Sequence, residues 1–451
     1  MVFLSKYVLP PEPQPPCYTT EEEMRSKYKY WRIRQLYSIF VGYSVYYFVR
    51  KNISIAVPLM ESDLGMSKAD LGKILSSGDA VYTISKTING FLADRCNPRY
   101  FMAVGLLLSA LANFFFGMNA ALGVLVVTWC LNGWFQGMGA APGSRIMTHW
   151  FHPQEIGWYW SLWALSNHVG LAVVLVMAGY LGQYYGWRFI FWVPAGLAGL
   201  TSLFLLERLR DTPASLGLPE PEVYGGIQKL ENATVEPEKK QSTGEFISYL
   251  RHNVFNQPLM WAICVASFLD YVLCYAFVNW VPTFLTEKGM ALAHIGWMVT
   301  VFEVFGAVAG MLGGWLTDKA CKGQRAPVCV GFMVLACVAF LALWQFYSAS
   351  LWVCVILLIL VGFAIYGPRL LIAVMATDLA TKKAAATAVG MTGLFGFLAG
   401  LISGWGLGHV LDHHGWDNAF LILALCSAAN IVPLAYCWNL RPTTTEKSGR
   451  N

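Results

Sequence analysis

Apolar runs of about 20 residues, the length that crosses a bilayer as a helix, recur along the whole chain. They fall at 36–60, 71–93, 101–118, 122–147, 158–181, 188–206, 259–285, 295–316, 327–347, 351–377, 386–408 and 417–438. The pattern predicts an all-α membrane protein with 12 transmembrane helices. Residues 1–35 are polar, Pro-rich and charged, with no apolar core of the secretory-signal type, so the first span is expected to act as the insertion signal. Residues 207–258 are polar, carry Pro213, Pro219, Pro221, Gly225, Gly226 and Pro237, and read as a linker with a short helix near 244–252. The expected organisation is an N-terminal segment at 1–35, a six-helix bundle at 36–206, the linker at 207–258, a second six-helix bundle at 259–438 and a tail at 439–451.

Charge sets the orientation, because Lys and Arg collect in cytoplasmic loops. The N-terminal segment, the linker, the tail and the loops at 94–100, 318–326 and 378–385 hold 22 of the 31 Lys and Arg residues. The opposite loops hold four: Lys68, Lys73, Arg188 and Lys288. Both termini are therefore expected in the cytoplasm, with the chain in the cell (inner) membrane. The glycosylation triplet Asn232-Ala-Thr234 falls in the cytoplasmic linker and is discounted. Composition agrees: 56% of residues are hydrophobic and 13% charged, against about 25% charged in soluble domains. The net charge of +5 needs no nucleic acid to explain it. The 11 cysteines are scattered, without paired spacing, so neither disulfides nor a metal site is expected. Asp412-His413-His414 reads as a solvated outer turn. With no nucleotide-binding loop, no cofactor is expected either.

The two halves repeat. Residues 224 apart align without a gap: Val57-Pro58 with Val281-Pro282, Ala69-x-x-Gly72 with Ala293-x-x-Gly296, and Gly90-x-x-x-Asp94-Arg95 with Gly314-x-x-x-Asp318-Lys319. Farther along the offset becomes 229, pairing Gly179 with Gly408 and Gly186-Trp187 with Gly415-Trp416. Parallel six-helix repeats place a substrate site between the halves and move by rocking. The paired Gly-x-x-x-Asp-Arg/Lys boxes resemble those of the major facilitator fold. Gly90 and Gly314 are expected to allow close helix approach, and Asp94, Arg95, Asp318 and Lys319 to latch one conformation.

Ionisable residues inside spans cost about 2.5–3.5 kcal/mol on insertion scales and tend to mark function. Arg50 lies near the middle of span 1, with Tyr43, Tyr46, Tyr47 and Ser54 at helical spacings from it. Asp79, Tyr82 and Lys86 line one side of span 2, and Glu303 in span 8 is the repeat partner of Asp79. Asp270 and Asn279 bracket the middle of span 7, and Arg369 follows Tyr366-Gly367-Pro368 in span 10. Two readings stay open for Asp79–Lys86 and Glu303–Arg369: structural ion pairs, or groups that serve substrate and gating. Arg50 has no acid three or four positions away. Its planar fork suits phosphate or carboxylate oxygens. In span 4, Gly139, Pro142 and Gly143 read as packing and kinking residues, and Arg145 as a snorkelling side chain near the cytoplasmic end.

At these residues the chain resembles the organophosphate:phosphate antiporter family of the major facilitator superfamily, over about 28 to 438. The motifs are Gly42-Tyr-x-x-Tyr-Tyr-Phe-x-Arg50-Lys51-Asn52, Ser85-Lys86, Asp94-Arg95-x-Asn97-Pro98-Arg99, Gly133-Trp-Phe-Gln136-Gly-Met-Gly139, Tyr366-Gly-Pro368, Lys382-Lys383-Ala-Ala and Gly393-Leu-Phe-Gly396. The resemblance implies exchange of a sugar phosphate or glycerol phosphate for inorganic phosphate. It assigns anion binding to Arg50 and cavity positions to Tyr43, Tyr47, Tyr82, Lys86, Gln136 and Tyr366. The N-terminal stretch and Arg95-Cys-Asn-Pro-Arg99 look most like the hexose-phosphate members and their receptor-like homologue.

Two departures stand out. The family's second anion-binding Arg, in span 7, falls at Cys274, and its His-Asn-Val-Gly stretch in span 5 is here Asn167-His168-Val169-Gly170. Arg369 is an addition, expected to replace the missing Arg, while Cys274 and Asn167 are expected to line the cavity. Asp79 and Glu303 are expected to pair with basic groups and release them on loading. The reading is a monomeric, non-enzymatic antiporter in the lipid bilayer. It would exchange a hexose phosphate, such as glucose-6-phosphate, for inorganic phosphate by alternating access. A receptor that senses hexose phosphate, and a facilitator for another small anion or a neutral sugar, remain open.

Overall fold

The computed structural model describes residues 9–93, 95–152, 155–221, 254–321, 323–348, 350–379 and 385–440. Every regular element among them is helical: α1 (Glu21–Phe48), α2 (Ile53–Leu64), α3 (Lys68–Ala93), α4 (Pro98–Met118), α5 (Leu122–Gln136), α6 (Ala140–Trp150), α7 (Ile156–Tyr185) and α8 (Phe189–Arg208) in the first half. The second half contributes α9 (Pro258–Glu287), α10 (Leu292–Lys319), α11 (Ala326–Phe346), α12 (Leu351–Leu379), α13 (Ala385–Leu401) and α14 (Leu407–Tyr436). A wide π turn at Ile402–Gly406 joins α13 to α14, and Gly415, with φ 68°, breaks α14 where span 11 turns into span 12.

Seven described helices and the joined stretch Gly390–Tyr436 are by themselves long and apolar enough to cross a membrane. Since that stretch holds spans 11 and 12, spans 1, 2 and 4 fall outside the set. Spans 1 and 4 are each broken into two helices, α1–α2 and α5–α6, and span 2 (α3) carries Asp79 and Lys86. The hydropathy pattern reads spans 1 and 4 as continuous; the structure breaks them at 49–52 and at 137–139. The site lies at the first break.

α1 also starts earlier than the apolar pattern suggests, inside 1–35. Thr20 caps it by accepting the Glu23 N–H at 3.3 Å, while Glu23 Oε2 accepts the Thr19 N–H at 2.9 Å. This variant of the Thr-x-x-Glu box, in which Glu23 reaches back one residue past the N-cap, starts a helix in polar sequence. The 244–252 helix, Asn232, Lys382 and Lys383 fall outside the described residues.

Contacts divide the chain into two compact units, Met1–Ala56 with Ser77–Val235, and Val57–Ser76 with Glu236–Asn451. In the first, α4 packs along α8 and α1 along α7. Phe116 and Phe191 meet there with ring centres 4.4 Å apart. In the second, α11 packs along α14, α10 along α12 and α9 along α13. Asp412 belongs to this second unit and is no merely solvated turn. Its carboxylate accepts the Lys68 and Ala69 N–H groups at 2.9 and 2.7 Å, capping the α3 N-terminus, where orphan donors and the helix dipole favour an anion.

Two further expectations are corrected. Arg145 does not snorkel: Nε and Nη2 each donate to Asp211 at 3.0 Å, and Asp211 is buried. A bidentate pair out of water is more favourable there than a lone charge reaching for the interface. Gly90 and Gly314 are not points of close helix approach; among the described residues nothing lies within 4 Å of a Cβ placed on either. The span-4 glycines do carry tight packing, with the Trp163 ring 2.6 Å from a Cβ at Gly143 and the Tyr46 ring 3.1 Å from one at Gly139.

Candidate anion-binding site

Breaking a helix in mid-membrane exposes backbone carbonyls that need partners. In span 1 the freed Val49 carbonyl finds two. Asn113 Nδ2 of α4 and Asn132 Nδ2 of α5 each donate to it at 2.8 Å. Asn52 Nδ2, past the break, donates to Asn113 Oδ1 and to the Ile190 carbonyl, both at 3.0 Å. All three asparagines are buried. Three buried amides and one carbonyl thus fix the turn at 49–52, and Arg50 sits on that turn.

The guanidinium of Arg50 lies over aromatic faces. Its Cζ is 4.0 Å from the Tyr82 ring centre on α3 and 5.1 Å from that of Tyr47 on α1. Each such contact is worth about 0.5–2 kcal/mol, enough to orient the group without neutralising it. A guanidinium carries five N–H donors in one plane, so ring contacts leave its charge and its fork geometry in place. Tyr43 extends the aromatic wall, with ring centres 5.7 Å from Tyr47 and 5.2 Å from Trp163.

The other expected residues of the first half are placed as follows. Gln136 is buried and its Nε2 donates to Ser109 Oγ at 3.3 Å. Asn167 is half-buried with its Oδ1 lacking a hydrogen-bond partner among the described residues, and the adjacent His168 is exposed. Lys86 is exposed and Asp79 half-buried, and among the described residues no ion pair joins them. The structural-pair alternative for Asp79–Lys86 therefore fails. Arg95 lies over the Phe91 ring at 4.3 Å, and Asp94 is outside the described residues.

The second half holds its own arginine among tyrosines. Arg369 Cζ is 4.7 Å from the Tyr271 ring centre on α9 and 5.9 Å from that of Tyr366 on α12. Glu303 accepts a hydrogen bond from the Tyr366 hydroxyl, and among the described residues no carboxylate is within ion-pair distance of Arg369. The Glu303–Arg369 ion pair is thus absent. Cys274 is buried, with Sγ 4.0 Å from Asp270 Oδ2 and 3.8 Å from the Ile365 carbonyl. Asp318 and Lys319 are exposed at the end of α10, and the ion pair at that end is Arg325–Asp378, at 2.5 Å. Sequence reading did not single out Asn113, Asn132 or Tyr271. The one signal for Tyr271 was available, since the 224-residue offset carries Tyr47 onto it.

Long apolar helices, two spans broken among the described residues and arginines set among tyrosines define the class: a multi-pass helical membrane protein. The model of the Major Facilitator Superfamily matches residues 39–404, and again 264–451. A probable hexose phosphate transport protein of Chlamydia pneumoniae is 39% identical, over 97% of this chain and 98% of its own. The glycerol-3-phosphate transporter of Bacillus subtilis is 37% identical, over 93% and 95%. The membrane sensor protein UhpC of Escherichia coli is 31% identical, over 93% and 95%. A bacterial homologue of the human lysosomal transporter Spinster, crystallised inward-facing, matches in fold with TM-score 0.69 at 15% identity, over 91% of this chain and 96% of its own. The chain belongs to the Major Facilitator Superfamily, and within it to the organophosphate:phosphate antiporters.

Proposed function

We propose that the chain is a secondary-active antiporter that exchanges a hexose phosphate, such as glucose-6-phosphate, for inorganic phosphate by alternating access. The observation that carries this is the Arg50 clamp: a guanidinium set over the Tyr47 and Tyr82 rings, on a break that three buried asparagines hold. A phosphate monoester is near −2 at neutral pH and offers three oxygens, which suits an in-plane donor edge. The Tyr43 phenol, whose ring is 5.7 Å from that of Tyr47, suits sugar hydroxyls, and the amides of Gln136 and Asn167 are the further candidates that the resemblance supplies. The relatives named for hexose phosphate and glycerol-3-phosphate transport support the same substrate class. Both termini face the cytoplasm of a cell membrane, and the repeats at 36–206 and 259–438 are the two moving bundles, in a monomer. Asp79 and Glu303, with the boxes at Asp94-Arg95 and Asp318-Lys319, serve coupling and gating.

A sensor is the second reading, favoured by the 31% identity to a protein named as a membrane sensor and by Cys274 at the family's second arginine. Vesicles holding only this protein test both. Exchange of labelled phosphate across the bilayer, competed by hexose phosphates, supports the antiporter. Saturable binding with no exchange would replace it by the sensor.

A further inference from the structure

We propose that Arg369, held by Tyr271 and Tyr366, is a second phosphate-binding arginine, rebuilt on span 10 in place of one absent from span 7. The proposal deepens the reading as an organophosphate transporter and rests on it.

The repeat makes the argument. In the first half the clamp has three members: Arg50 and Tyr47 on span 1, and Tyr82 on span 2. Residues 224 positions on are Cys274, Tyr271 and Gly306. One tyrosine is retained, and the arginine and the other tyrosine are gone. The structure fills both gaps from α12. A Cβ on Gly306 would lie 2.8 Å from Cδ2 and Cγ of Tyr366, so that ring occupies the space beside the glycine that replaces Tyr82. Cys274, the residue at the position that answers to Arg50, has its Sγ 3.8 Å from the Ile365 carbonyl of the helix that carries Arg369. The retained Tyr271 lies under Arg369 at 4.7 Å, as Tyr47 lies under Arg50 at 5.1 Å. Residues 366 and 369 are three apart and share one helix face, so a single helix carries both relocated members.

The acids follow the same logic. Glu303 is the repeat partner of Asp79 and accepts the Tyr366 hydroxyl, which fixes the ring. Among the described residues Asp270 forms no ion pair with Arg369, and its Oδ1 has no hydrogen-bond partner. A structural arginine buried in a membrane protein is normally neutralised by a carboxylate in contact. Arg369 is instead held by rings, as a guanidinium awaiting an anion would be. Gly306 is the residue that permits this arrangement, since a side chain there would displace Tyr366.

Two measurements on the full-length protein test the assignment. In the wild-type chain, an arginine-directed dicarbonyl reagent should modify Arg369, and saturating inorganic phosphate should slow that modification severalfold, as mass spectrometry of its peptide would read. In vesicles, Arg369→Ala should raise the half-saturating phosphate concentration for exchange by about tenfold or more, the loss of one charged bidentate contact. Adding Cys274→Arg should recover most of it, because the guanidinium returns to span 7. Modification of Arg369 unaffected by phosphate would overturn the proposal whether or not the variants fold. Unchanged half-saturation in Arg369→Ala would overturn it equally. If the wild type exchanges no phosphate at all, the transporter reading fails first, and the protection experiment still decides whether Arg369 binds phosphate.

Discussion

A guanidinium in cation–π contact with phenol rings keeps its charge and its planar fork of donors, so its function depends on both planarity and position. Lysine at residue 50 would keep the charge but lose the fork and the stacking on Tyr82 and Tyr47. Arg50→Lys is expected to weaken phosphate binding by on the order of tenfold or more, and Arg50→Ala further, with insertion intact. Isothermal titration with phosphate reads both; wild-type affinity in Arg50→Ala would end the anion-site reading. Glu303→Gln keeps an acceptor for the Tyr366 hydroxyl but removes the charge. The expected result is a changed exchange rate with unchanged expression, and no change in rate or affinity would mark Glu303 as a structural acid. Arg50, Tyr47 and Tyr82 were legible in sequence because a cation in an apolar run stands out and its tyrosines fall at helical spacings. Asn113 and Asn132 were not legible, because their partner is a backbone carbonyl that exists as an acceptor only once span 1 breaks.

At the scale of an element, that break is what the asparagines maintain. Leucine at 113 keeps the branched shape, though it is bulkier, and leaves the Val49 carbonyl with one fewer donor, at a cost of about 1–3 kcal/mol for an underserved buried group. Asn113→Leu is expected to lower the thermal unfolding midpoint and to weaken phosphate binding as well, since Arg50 rides on the turn. A lower midpoint with wild-type affinity would separate the network from the site. A second element carries a pH dependence. The Lys27 ammonium, and after it the Thr19 N–H, hold the Glu23 carboxyl down at about 2, from an ordinary 4.5. The depressed value means the cap contributes fully above pH 4.5 and is lost as pH falls through about 2. Amide exchange in the first turn of α1 should accelerate across that window in the wild type, and Glu23→Gln should flatten the response; an identical profile in the variant would show that the cap does not govern it. The Thr20-x-x-Glu23 spacing was visible in the sequence, but α1 was placed by hydropathy, which is blind to a helix begun by capping in polar residues. The same averaging hid the breaks in spans 1 and 4, because apolar residues flank the short stretches at 49–52 and 137–139 on both sides.

The whole molecule was the most legible level. Twelve apolar runs, the 224-residue repeat and the resemblance to organophosphate antiporters were all readable, and the family match over 39–404 agrees with them. The repeat did more than fix the fold. It located the missing span-7 arginine at Cys274, which in the structure lies between Asp270 of its own span and the Ile365 carbonyl of span 10. Arg369 was already expected from the sequence as the replacement, being an added cation in span 10; what no spacing along the chain gave was the Tyr366 ring filling the space beside Gly306. The central claim is obligatory exchange of a phosphorylated sugar for phosphate. It is tested by loading vesicles of the purified chain with labelled phosphate and supplying glucose-6-phosphate outside. The account predicts that labelled phosphate leaves only when the sugar phosphate is present, and that sugar phosphate enters only when phosphate is inside. Sugar phosphate entry at the same rate into phosphate-free vesicles, or binding without any entry, would contradict it.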